Sequence, residues 1–81
     1  MVIEIRKQKE GAEKLQRAIG VASIVYEQNN IKTIKVLIDL ENQFGQAIVQ
    51  EAAAKVGDKN PDNPKRSAGY LINTIKSMAN Q

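Results

Sequence analysis

Apolar residues recur at helical spacing in four blocks, separated by glycine, asparagine and proline. In the first block Leu15, Ala18, Ile19, Ala22, Val25 and Tyr26 fall three and four apart, which predicts an amphipathic helix beginning at Ala12. Gly20 inside it costs about 1 kcal/mol relative to alanine, so close approach by another helix is the expected return. Val21 and Ile24 lie off that stripe, and two further aliphatics there predict a second buried side suited to a subunit contact. The segment before this helix, residues 1–11, is less defined. Val-Ile-Glu-Ile alternates too briefly for a strand with no partner elsewhere, so an apolar helical lead-in or an irregular arm is expected.

Asn29 and Asn30 end the first helix and offer a cap to the second, because an asparagine oxygen accepts from free first-turn amides. The second stripe is Ile31, Ile34, Leu37, Ile38 and Phe44, with Lys32, Lys35, Asp39 and Glu41 mostly outside. Gly45 interrupts it. Ala47, Ile48, Ala52 and Val56 restart the spacing, and Gly57 stands where a left-handed closing residue belongs. Gly-Asp-Lys-Asn-Pro-Asp-Asn-Pro, residues 57–64, is the clearest loop: Asn60 and Asn63 each precede a proline and are pushed out of helical angles. The last helix starts at Asn63 and Pro64 or at Ser67, and buries Ala68, Leu71, Ile72, Ile75 and Met78 with Tyr70 and Thr74 flanking. The expectation is an all-α domain of about four short helices, spanning residues 1–81.

Composition narrows the chemistry. The 81 residues contain no Cys and no His, which removes disulfides, the thiol nucleophile, the usual general base and the common transition-metal ligands. Asp39 and Glu41 are two apart on a helix and diverge, so they make no carboxylate site, and the glycines fit no phosphate-cradling spacing. A non-enzymatic protein without cofactor or metal is expected. No apolar run reaches bilayer length and the N-terminus lacks a signal-peptide layout, so a cytoplasmic location is expected too.

The net charge of +3 is unevenly placed, with Lys55, Lys59, Lys65, Arg66 and Lys76 against Asp58 and Asp62 in the last third. Lys65 and Arg66 sit at a helix start, where free amides and the positive dipole end also attract phosphate. With Tyr70, Lys76 and Lys59 they form the candidate nucleic-acid contact. Each has an ordinary alternative as a solvated cation or half-buried ring. Arg6, Lys7 and Lys9 are a weaker candidate because Glu4, Glu10 and Glu13 dilute them.

From Ile34 to Met78 the order of features resembles the DnaD-like domain of bacterial and phage replication-initiation proteins. An apolar helix closes on Asn42-Gln43-Phe44-Gly45, Ile48-Val49-Gln50-Glu51-Ala52 follows, and after a loop Ser67-Ala68-Gly69-Tyr70 leads a helix with Leu71, Ile75 and Lys76. The family carries a tyrosine, an isoleucine four residues on and a tryptophan four further; here those positions are Tyr70, Thr74 and Met78. Gly-Tyr-Leu-Ile a few residues after a proline also looks like the tail of some plasmid replication proteins. The resemblance implies a helical, self-associating DNA-binding accessory of replication, with a primosome component such as a helicase as partner. The competing expectation is a protein-interaction module or homodimer, such as a phage-type inhibitor, using Val21 and Ile24 without touching DNA.

Overall fold

The computed structural model describes residues 2–80, with side chains from residue 11 on. The described residues form four helices: α1 (Val2–Ile24), α2 (Ile31–Phe44), α3 (Gln46–Gly57) and α4 (Ala68–Ala79). The all-α architecture expected from the spacing is observed, with no strand among the described residues. α1 packs chiefly on α2 and α4 chiefly on α3, while α2 bridges to both α3 and α4.

Residues 2–10 belong to α1, so the irregular arm gives way to one helix 23 residues long, about 34 Å by its rise per residue. The side chains of Arg6, Lys7 and Lys9 lie outside the described residues. Gly20 has no heavy atom within 4 Å of where a Cβ would stand, so it serves no close helix contact.

α1 is also rotated relative to the expected stripe. Ala18, Val21, Ala22 and Val25 are buried, whereas Leu15 and Ile19 are 45% and 37% exposed and Tyr26 is 57% exposed. The reason is angular: 18, 21, 22 and 25 form a narrow arc at 100° per residue, and small Ala18 and Ala22 allow α1 to sit close to its neighbours on that arc. Val21, expected at a subunit contact, therefore belongs to the internal core. Ile24, its companion, is half-buried against the same core and lies 3.4 Å from the point where a Cβ on Gly57 would stand.

The core is aliphatic. Leu37, Val49, Val56, Leu71 and Ile75 are its largest fully buried side chains, each contributing roughly 1.5–3 kcal/mol of burial. Ile31 is exposed, and Leu40, at the opposite edge of the stripe, is buried. Glu41, expected on the outer face, is buried because Arg17 of α1 reaches it: Nε and Nη2 donate to its Oε1 at 3.0 and 2.6 Å. That hydrogen bond raises the Arg17 pKa; desolvation opposes the rise, and the charges of Glu41 and Glu13 add to it. Arg17 pairs across helices and not with Glu13 on its own helix.

The helix ends follow local chemistry. Asn30 caps α2, its oxygen accepting from Lys32 N and Thr33 N. Gly45, at φ 98°, is the single residue between α2 and α3. Ser67 caps α4 by accepting from Tyr70 N, while Asn63 closes a turn on Lys65 N within the preceding loop. Gly57 remains helical and is followed by Asp58 in right-handed conformation, so the left-handed closure expected there is absent.

Candidate nucleic-acid interface

The α3–α4 loop brings cations to an aromatic ring. Tyr70 stands one turn into α4, its backbone fixed by the Ser67 cap and by Thr74 Oγ1, which donates to the Tyr70 carbonyl at 2.8 Å. Its ring is half-exposed, with Lys59 Nζ 5.5 Å and Lys65 Nζ 6.0 Å from the ring centroid. A lysine over an exposed ring gains about 0.5–1 kcal/mol, enough to bias two flexible chains toward one place and too little to neutralise them. Neither lysine has a carboxylate within 4.0 Å among the described residues, where Arg17–Glu41 is the sole ion pair.

Beside the ring runs an open groove of about 350 Å³, lined by Lys55 of α3 and by Tyr70, Asn73, Thr74, Ser77 and Met78 of α4. Positions 70, 73, 74, 77 and 78 form a stripe beside the buried Leu71 and Ile75, with Met78 at the border packed partly against the core. The groove thus presents a ring, an amide, two hydroxyls, a thioether and an ammonium group. Such a surface can take up a flat apolar group with hydrogen-bonding edges and, at its rim, an anion.

The predicted residues separate into three groups. Lys59, Lys65 and Tyr70 come together. Lys76 is exposed but lies about 120° around α4 from Tyr70 and outside the groove lining, six residues being 600° of helical turn. Lys55, seen from sequence only as an extension of the patch, takes the lining position instead.

Arg66 is the third case. Its Nε donates to the Ile24 carbonyl at 2.7 Å and its Nη1 to the Lys59 carbonyl at 2.9 Å, and its guanidinium carbon lies 5.3 Å from the centroid of the Tyr26 ring. It does not stand free at a helix start: it ties the α3–α4 loop to the end of α1. Both acceptors are backbone carbonyls exposed where the chain leaves a helix, and a five-donor fork reaches two at once where lysine reaches fewer. The sequence offers no signal for this, because Ile24 is 42 residues away.

Among the described residues no helix is long and apolar enough to cross a membrane, and no group of three or more His, Cys, Asp or Glu side chains is placed to hold a metal ion. No protein-family model, curated protein or solved structure matches the chain.

Proposed function

We propose that this protein binds DNA, as an accessory of bacterial, plasmid or phage replication, through the corner formed by α3, α4 and the loop between them. The observation that carries the proposal is Tyr70 with Lys59 and Lys65 over its ring, at the edge of a groove whose far wall holds Lys55. Three ammonium groups without carboxylate partners among the described residues suit a phosphate backbone, and this contact is blind to sequence. The resemblance to DnaD-like domains supports the replication setting and a primosome partner such as a helicase: Tyr70 occupies the family's tyrosine position, and Met78, in the tryptophan position, lines the same groove. Methionine cannot stack on a base as tryptophan can, so the weight of the contact falls on Tyr70 and the lysines.

The competing reading, a protein contact or homodimer without DNA, has an observation of its own. Leu15 and Ile19, one turn apart on α1, are the exposed aliphatics where Val21 and Ile24 were expected. Among the described residues this face carries no cation cluster, so the two readings concern different surfaces.

Titration of labelled single- and double-stranded DNA against salt tests the proposal. Binding should be measurable at low salt and fall as salt rises, and K59A/K65A should reduce the slope of log K against log salt by about 1.4–1.8, the release expected for two phosphate contacts. An affinity absent at low salt, or a slope indifferent to the double substitution, rules the mechanism out.

A further inference from the structure

Tyr26 takes no part in the interface described above, and its backbone is unusual. α1 closes with Glu27 N donating to Ala22 O at 2.9 Å and Tyr26 N to Ser23 O at 3.1 Å. This is the double closure in which the residue just past the helix turns left-handed, and Tyr26 does so with φ 62°. Glycine is the residue that takes up this conformation without steric cost, and a bulky side chain there is an outlier. The core does not require the ring, which is 57% exposed, the most open of the aromatic side chains. A strained position filled by an exposed aromatic points to a use for that aromatic.

The use follows from what surrounds it. Arg66 covers the ring at 5.3 Å, held there by its bonds to the Ile24 and Lys59 carbonyls. Lys59, gripped by its carbonyl on this side, extends its amine over Tyr70 on the other. Two exposed rings therefore flank one loop, Tyr26 with one cation beside it and Tyr70 with two, and Arg66 and Lys59 join them.

Resting on the DNA-binding reading above, we propose that Tyr26 is a second stacking contact and that the ligand is a single strand crossing the α3–α4 loop from the Tyr70 groove to Tyr26. One unpaired base packs on Tyr26 at the side Arg66 leaves open, and one on Tyr70 as its flexible lysines turn to the phosphates. The intervening phosphates meet Lys59, Lys65 and the guanidinium N–H groups of Arg66 that Ile24 and Lys59 leave unused. Aromatic stacking with a basic track is the general means of holding single strands without sequence preference, and in a duplex the base faces are already occupied.

The chain has two tyrosines and no tryptophan, so single-tyrosine variants report each ring separately. In Y70F, Tyr26 is the remaining tyrosine; in Y26F, Tyr70 is. Oligothymidylate of about 12 nucleotides, within the span such sites occupy, is the probe. Saturable quenching of tyrosine emission in both variants is expected, with a duplex of equal length quenching neither. Y26G should weaken binding about tenfold while Y26F retains it, and because glycine suits the left-handed position, the thermal midpoint of Y26G should not fall far. Quenching in Y26F but not in Y70F overturns this inference and leaves the DNA-binding corner standing. Equal quenching by duplex overturns the single-strand assignment. Absence of binding by the unmodified chain at low salt overturns both readings together.

Discussion

Arg17 and Arg66 are both half-buried arginines that join elements distant in sequence, and the difference between their partners divides the molecule into two regions. On the α1–α2 side Arg17 meets the buried carboxylate of Glu41, and Lys14 beside it donates to Asn42 Oδ1 at 2.8 Å. The Arg17 charge is cancelled there by Glu41, while Lys14 keeps its own on a neutral amide. At the α3–α4 corner Arg66 is satisfied by neutral carbonyls, so its positive charge is not cancelled, and Lys55, Lys59 and Lys65 around it have no carboxylate partner among the described residues. The same side chain is a structural tie in both places. In the second it also leaves a field for an anionic ligand.

The largest expected effect falls on the balanced side. R17M leaves Glu41 buried without its donors and should lower the urea unfolding midpoint more than any other substitution considered, with DNA affinity at unchanged salt within twofold once the protein is folded. Loss of affinity at full stability would instead place Arg17 in the interface. R66A should lower both quantities, stability by about 1–2 kcal/mol through the two lost carbonyl bonds and affinity by a further several-fold because the loop carrying Lys59 and Lys65 is no longer tied down. A change confined to stability would mean that the loop keeps its place without the tie. The smallest effects discriminate among the lysines. K55A, in the groove wall, should weaken binding about fivefold, near 1 kcal/mol, and K76A, on another face of α4, by less than twofold, both with unfolding midpoints unchanged. Equal losses would show that the corner acts only through net charge and that the groove has no special place in binding.

What the sequence made legible was local. The Asn30 cap, the stop at Gly45 and the Ser67 alternative for the start of α4 each depend on a side chain and a backbone group within a few residues, and each stands as read or as one of the two readings offered. The rotation of α1 was not legible, because its apolar residues cover more than one arc. Which arc becomes core depends on how closely the partner helices approach Ala18 and Ala22. Tyr26 and Gly57 make the point most sharply. A left-handed turn was expected at the glycine and occurs at the tyrosine, since Gly57 is held in helix beside Ile24 while α1 must reverse immediately to bring in α2. Of the site, Tyr70, Lys59 and Lys65 were visible as a local excess of charge beside an aromatic. The diversion of Arg66 to Ile24 and the displacement of Lys76 by Lys55 were not, because both depend on which faces meet in three dimensions.

Arg66 also bears on the order in which the molecule assembles. α1 and α2 are joined by a short turn and α2 and α3 by Gly45 alone, so their contacts close small loops and can form early. The bond from Arg66 to Ile24 closes 42 residues, and its loop-closure entropy is met only after the first three helices are in place. The expectation is that the corner that carries Tyr70 is the last part to be completed and the first to open. Amide exchange at the start of α4 should proceed through partial opening, with a lower free energy than exchange at Leu37. A single strand bound across that corner would slow exchange there first, well before it altered protection in α2.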